Sequence, residues 1–382
     1  MEAFEFATAG RVLVGAGRSA DLPALLAACG TRALVCTGAS PGRHAELLAG
    51  LGMHAAVFPV AGEPTVDLVR TAVAAAREHG ADVVAAIGGG SVIDTGKAAA
   101  MLLGNGGDPL DYMEVIGAGR TIARSSVPFI AVPTTAGTGA EVTANAVLAS
   151  PAHRVKASLR SPTMIPRAAI VDPLLTVSCP PSVTAASGMD ALTQCLEPFV
   201  SPMASPLTDA VAREGIRRAA AGLRRAYADG SNLTARADMS VASVAGGMAL
   251  ANAKLGAVHG LAGVIGGTAA VPHGVACAVL LAPVIEANVA ALRAGPPGHP
   301  ALARYAEAAA LLTGEPGAAI EDGVAWVRQT LTALSIPGLG AFGVEADQAG
   351  DIAAQALRSS SMRGNPVALS QDDLRTVLAR AA

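Results

Sequence analysis

The chain has 382 residues, of which 52% are hydrophobic and 15% charged, with 43 glycines and a formal net charge of −3. That length is ample for two cores, and the composition excludes a disordered chain. The near-neutral balance, without a Lys/Arg-rich run, argues against nucleic acid or an anionic membrane surface as a partner. Cys29, Cys36, Cys179, Cys195 and Cys277 form no CxxC pair and read as free thiols of a reducing cytoplasm. The first residues show no basic region followed by an apolar one, so no signal peptide is expected.

In chain order, residues 32–37 read as a strand, 41–51 as a helix, 54–60 as a strand and 65–79 as a helix. Residues 81–87 read as a strand, 91–103 as a helix and 128–133 as a strand. Strand–helix alternation at this spacing predicts a mostly parallel sheet covered on both faces. Residues 156–171 remain strand-like. Beyond Asp172-Pro173 the character changes: Pro180, Pro181 and Ser182 open a helix, and no convincing strand follows. Breaks are expected near Gly230, Gly266, Pro296 and Pro337. The boundary falls near Cys179, giving an α/β domain over 1–179 and an all-helical domain over 180–382. Residues 255–285 contain no Asp, Glu, Lys or Arg, which is long enough to span a bilayer. Two histidines, two prolines and several glycines in that stretch point instead to a buried helical core around a site.

Three glycine-rich segments compete as phosphate cradles. Gly15-Ala-Gly17-Arg-Ser-Ala20 fits GxGxxA but lacks an acidic residue after the next strand; it reads as a turn into the first helix. Gly88, Gly89, Gly90 and Ser91 lie between a strand and a helix, with Asp94 and Lys97 following. Bare glycines let backbone N–H groups approach a pyrophosphate, and the helix N-terminus adds a favourable field. Ala98 follows Gly96-Lys97 where a Walker A loop needs Ser or Thr, so magnesium ligation of that type is not supported. Thr134, Thr135 and Thr138, with Gly137 and Gly139, supply hydroxyls and bare backbone after another strand.

Asp190 and Gln194 are four residues apart, which on a helix puts both on one face. His259 and His273 are separated by a stretch holding Gly263, Gly266 and Gly267, where the chain can turn. One carboxylate, one amide oxygen and two imidazoles suit a divalent transition metal. Two histidines in an apolar stretch are more often hydrogen-bonded core residues than ligands, so spacing alone does not establish a metal.

GGGSxxDxxK, TTxGTGxE, Gly-Met-Asp-Ala-Leu-Thr-x-x-x-Glu, His-Gly and Pro-His-Gly follow one another along this chain. Together they resemble the iron-dependent (group III) alcohol dehydrogenases, and the likeness runs on through Asn365-Pro366 and the last helix. It implies an α/β dinucleotide-binding domain and an all-α domain of the dehydroquinate synthase-like fold, with the site in the cleft. It implies NAD(P)H as cofactor: Gly88, Gly89, Gly90, Ser91 and Asp94 at the pyrophosphate, Thr134, Thr135 and Thr138 beside the nicotinamide, and Lys156 near its ribose. Gly38 stands where NAD-preferring members carry Asp, with Ser40 and Arg43 following, so NADPH should be accepted at least as well as NADH. Asp190, His259 and His273 are the implied catalytic centre and, with Gln194, the ligands of Fe2+ or Zn2+.

Two positions depart from the family. Gln194 replaces a ligand histidine, and Gly263 stands where many alcohol-oxidising members carry a proton-relay histidine. The expected activity is hydride transfer between NAD(P)H and a small aldehyde or alcohol, in a cytoplasmic enzyme that binds neither nucleic acid nor membrane; a homodimer is left open. The alternatives are a metal-independent reductase similar to maleylacetate reductase, a lyase-type cyclase similar to dehydroquinate synthase, and a non-catalytic nucleotide-binding relative. Retention of Asp190, where maleylacetate reductases typically carry Asn, favours the metal.

Overall fold

The computed structural model of the protein describes residues 3–153 and 155–382. They divide into two compact units. One comprises Thr8–Thr135 and Gly139–Ser178. The other takes Cys179–Ala382, the segment Ala136–Thr138 and the described residues before Thr8. Two short segments of the first half thus go with the helical unit.

The α/β unit runs β1 (Val12–Val14), α1 (Leu22–Ala27), β2 (Arg32–Gly38), α2 (Ala45–Ala49), β3 (His54–Val60), α3 (Val66–His79) and β4 (Val83–Gly88). It continues with α4 (Gly90–Asn105), α5 (Pro109–Tyr112), β5 (Phe129–Pro133), β6 (Asn145–Ser150), β7 (Val155–Arg160) and β8 (Ala168–Val171). Six strands form one parallel sheet in the order β1-β8-β5-β4-β2-β3, and β6 and β7 form a separate antiparallel pair. Alternate residues of a strand face opposite sides. Leu34, Cys36, Val84 and Ala86 accordingly join one core with α3 and α4. Ala33, Val35, Val83, Ala85 and Ile87 join another with Leu22 and Leu26 of α1. Burial on both faces explains why these strands read as continuous apolar runs.

Two local expectations change, and two strands were not expected. Residues 41–51 hold only a 3-10 turn (Pro41–His44) and the short α2, because Pro41-Gly42 favours a turn over helix propagation. Residues 156–171 are not one strand: Pro162 starts a 3-10 turn (Pro162–Met164) between β7 and β8. The short β1 and the β6 strand had no clear sequence signal.

The helical unit contains α6 (Pro181–Val200), α7 (Pro206–Ala228), α8 (Leu233–Ala253), α9 (Ala257–Thr268) and α10 (His273–Ala294). α11 (Pro300–Thr313), α12 (Ile320–Ala333), α13 (Ala349–Ala356) and α14 (Gln371–Ala381) complete it. Pro181 occupies the first turn of α6, where its missing N–H costs nothing. The apolar stretch at 255–285 resolves into α9 and most of α10. α9 leaves α8 at 100° across a break at Lys254, whose φ is 63°. α10 is the one described single helix long and apolar enough to cross a membrane, and 78% of its apolar window is buried in the protein.

Candidate functional site

The sheet order reverses between β2 and β4: β3 is added outside β2, and β5 on the far side of β4. In open α/β sheets ligands bind at the carboxyl ends of strands flanking such a reversal. Gly38 ends β2 and Gly88 ends β4. A Cβ at Gly38 would meet nothing within 4 Å. Gly89 is the N-cap of the 16-residue α4, so its first turn carries bare N–H groups that could face an anion. Thr134 follows the end of β5, and its N–H donates to Gly88 O (3.0 Å). Thr135 lies beside Gly89, whereas Thr138 belongs to the segment that goes with the helical unit.

Other residues of this region have protein partners. The backbone N–H groups of Gly17 and Ser19 both donate to the Asp172 carboxylate, as does the Ser19 hydroxyl (3.1, 3.0 and 2.7 Å). The GxGxxA segment is thus a tethered turn, as its sequence suggested. Asp94 accepts from Val147 N–H (3.0 Å) and pairs with Lys97 (3.4 Å). The buried Lys97 ammonium also donates to Ala140 O and Thr143 Oγ1 (2.8 and 3.0 Å). These two side chains fasten α4 to the 140–147 segment. Lys156 pairs with Glu63 (3.2 Å).

In the helical unit, Asp190, Gln194 and Glu197 recur at i, i+4 and i+7 on α6, and all three are buried. His259 lies in the first turn of α9, and His273 is the first residue of α10. The glycine after each histidine permits close approach. A Cβ at Gly274 would fall 2.2 Å from Ala186 O, and one at Gly260 would fall 2.7 Å from Met362 Sδ. Asp190 Oδ1 is 3.2 Å from His259 Nε2 and 3.8 Å from His273 Nε2. Cys277, one turn beyond His273, puts its sulfur 3.6 Å from His273 Nε2 and 3.8 Å from His259 Nε2. One donor atom from each of Asp190, His259, His273 and Cys277 lies within 4.8 Å of every other.

Glu197 orients this cluster. Its Oε2 accepts from His259 Nδ1 (2.6 Å), and its Oε1 accepts from Val258 N–H (2.7 Å). Asn365 Oδ1 accepts from Ala257 N–H (3.2 Å), so two side chains cap α9. With the Nδ1 proton given to Glu197, a neutral His259 aims its Nε2 lone pair at the Asp190 carboxylate. Two acceptors 3.2 Å apart need a cation, whether a proton or a metal ion. The electrostatics agree. Burial works to raise the Asp190 carboxyl, but His259 and His273 outweigh it and bring it down to about 2. Burial works to lower His259, but Cys277, Asp190 and Glu197 raise it well above its usual range. His273 is raised to about 9, chiefly by Cys277.

Gln194 Nε2 donates to Gly137 O (3.3 Å), while its buried Oε1 has no hydrogen-bond partner among the described residues. An orphaned amide oxygen one helical turn from the Asp190 carboxylate suits a divalent transition metal. Gly263 faces open space: a Cβ there would meet nothing within 4 Å. The sequence reading singled out Asp190, Gln194, His259 and His273; donor atoms of Asp190, His259 and His273 lie within 4.8 Å of one another, and Gln194 stands one turn from Asp190 on α6. It missed Glu197, Asn365 and Cys277 as members of the site. The repeat of the i, i+4 spacing at His273 and Cys277 was the available signal.

Comparisons with known proteins carry the same reading. A family model described as iron-containing alcohol dehydrogenase matches residues 9–173. A second, described as Fe-containing alcohol dehydrogenase family, C-terminal, matches 184–382. A 1,3-propanediol dehydrogenase of Klebsiella pneumoniae is 42% identical over 241 residues, covering 63% of this chain and 61% of the relative. The first curated relatives are thus matched over less than two thirds of their own length. A solved 1,3-propanediol oxidoreductase superposes with a TM-score of 0.92 at 31% identity, over 100% of both chains. A sulfoacetaldehyde reductase of Bifidobacterium kashiwanohense, solved with NAD+, superposes with a TM-score of 0.88 at 28% identity, over 100% of this chain and 99% of that one. Two family models that match residues 9–173 and 184–382, with an Asp-His-His cluster inside the second, lead to one assignment: this chain belongs to the iron-containing alcohol dehydrogenase family.

Proposed function

We propose that this chain is an NAD(P)H-linked oxidoreductase that transfers a hydride between the nicotinamide and a small aldehyde or alcohol. The observation that carries the reading is the convergence of donor atoms from the buried Asp190 and His259 and the half-buried His273 in a cluster that demands a cation. A divalent metal held there supplies Lewis acidity, which polarises an aldehyde or eases proton loss from an alcohol. Asp190 contributes the full negative charge, and the two imidazoles contribute nitrogen donors. Glu197 holds the His259 ring through Nδ1, which fixes Nε2 as the nitrogen free to bind. Gln194 is the weakest donor of the set.

The α/β unit is the dinucleotide-binding part of this proposal. Gly88, Gly89, Gly90 and Ser91 would cradle the pyrophosphate at the start of α4, with Thr134, Thr135 and Thr138 on the nicotinamide side. Gly38 leaves no carboxylate to repel a 2′-phosphate, which supports use of NADPH as well as NADH. Lys156, already paired with Glu63, and Asp94, already bonded to Lys97 and Val147, would act on the cofactor by shaping its loops. The solved relative with NAD+ supports this class of cofactor. The substrates named for relatives, 1,3-propanediol and sulfoacetaldehyde, support small carbonyl compounds as the substrate class.

The test is metal analysis of freshly purified protein, followed by an aldehyde panel with NADH and NADPH before chelation, after it, and after metal re-addition. The expected result is a rate that falls with metal content and returns with it. A chelated enzyme that keeps its full rate would overturn the metal-dependent reading.

A further inference from the structure

The metal reading counts Gln194 as the fourth protein donor, yet the fold brings a stronger one to the same point. Cys277 is wholly buried on α10, one helical turn from His273. Its sulfur faces both imidazole Nε2 atoms, at 3.6 and 3.8 Å. Bond lengths of about 2.3 Å to sulfur and about 2.0 Å to nitrogen put the S–N edge of a tetrahedral site near 3.5 Å, and its N–O edge near 3.3 Å. The observed sulfur edges fall within a few tenths of the first value. The Asp190–His259 and Asp190–His273 edges, 3.2 and 3.8 Å, bracket the second. Four of the six edges of a coordination tetrahedron are thus near their expected lengths, and the other two, His259–His273 and Asp190–Cys277, are no longer than 4.8 Å.

The other cysteines show what a merely structural thiol looks like here. Cys195, next to Gln194 in sequence, donates to the Ala242 carbonyl (3.4 Å), and Cys36 lies within the apolar face of β2. Among the described cysteines, Cys277 alone joins the candidate metal cluster.

We infer that Cys277 is a thiolate ligand of the metal proposed above, completing an Asp190-His259-His273-Cys277 set in which sulfur takes the place of the imidazole lost at position 194. The inference rests on the metal reading. A carboxylate and a thiolate together match the charge of a divalent cation. A mixed O, N, N, S set belongs to borderline cations such as zinc or cobalt. Gln194 is then relieved of a ligand's role, and its Nε2 bond to Gly137 O remains its anchor.

The experiment loads the full-length, chelator-stripped protein with Co2+, measures bound cobalt by elemental analysis, and records the absorption spectrum. A thiolate ligand gives a near-ultraviolet sulfur-to-cobalt charge-transfer band that oxygen and nitrogen ligands do not. The wild-type spectrum is read without any variant, so it does not depend on a substitution folding. The expected result is bound cobalt with that band in wild type and in Cys195→Ala, and loss of the band in Cys277→Ser and Cys277→Ala. Cobalt affinity in the two Cys277 variants should fall by on the order of 100-fold, at least matching the loss of an outer-shell partner. Circular dichroism checks that each variant is folded. Stoichiometric cobalt without the band, or a band that survives in Cys277→Ser, overturns the thiolate ligand and leaves the metal reading standing. A wild-type protein that takes up no cobalt overturns both.

Discussion

Glu141 offers a test of the electrostatics around the proposed cofactor loops. It lies in the turn Ala140–Val142, is 1% exposed, and its Oε1 has no hydrogen-bond partner among the described residues. Burial pushes its carboxyl up to about 7, against smaller lowering effects from its own backbone N–H and the nearby Lys97. Its folded value therefore exceeds the unfolded one, and the sign follows. Below the unfolded pKa, about 4.5, both states hold the proton and the native state bears no penalty. As pH rises toward 7 the unfolded chain releases its proton first, and stability is lost. About 2.5 pH units of separation correspond to roughly 3 kcal/mol. Glu141→Gln removes this titration. Its amide brings unpartnered N–H groups at a pH-independent cost of about 1–3 kcal/mol. The stability of the variant relative to wild type should thus improve by about 3 kcal/mol between about pH 4.5 and about pH 8. For a unit of roughly 150–250 residues that is a relative gain of roughly 6–12 °C in Tm. Thermal and urea unfolding of both proteins across this range gives the comparison. Parallel pH profiles would refute the claim that Glu141 is held protonated in the fold.

Three further outcomes follow from the sites. Gly89→Val adds a Cβ 3.2 Å from Thr135 Oγ1 at a φ of −77°, which valine tolerates. The variant should fold yet bind NADH and NADPH at least about tenfold more weakly, as read by fluorescence titration; unchanged affinity contradicts the pyrophosphate cradle. Gly38→Asp places a carboxylate in open space at the end of β2 and should shift preference toward NADH by about tenfold, or about 1.4 kcal/mol. The ratio of kcat/KM for the two cofactors measures it, and a wild type already strongly selective for NADH would defeat the premise. Glu197→Gln keeps an oxygen for Val258 N–H but removes the charge behind His259 Nδ1. Metal affinity should drop about 10–100-fold in competition with a chromophoric chelator; an unaltered value would deny Glu197 its orienting role.

Sequence alone determined the α/β-then-helical order, because strand and helix periodicities are local. Apolar runs such as 83–88 can only be buried strands of a covered sheet or short buried helices, and their alternation with Ala-rich stretches chose the sheet. It also placed Asp190 and Gln194 on one helix face, since a four-residue spacing needs no tertiary information. The strand order, and with it the reversal that sets Gly38 beside Gly88 at adjacent strand ends, came only from long-range pairing. So did the membership of the metal cluster. Cys277 looked like one more scattered thiol until α10 lay against α6, and that approach depends on Gly274 leaving room for Ala186 O. Glu197 gained its role only when the break at Lys254 turned α9 so that Val258 N–H and His259 Nδ1 met one carboxylate. Local pattern fixes which face a donor is on; which donors meet is decided by how closely two helices can pack, and that is a property of the fold.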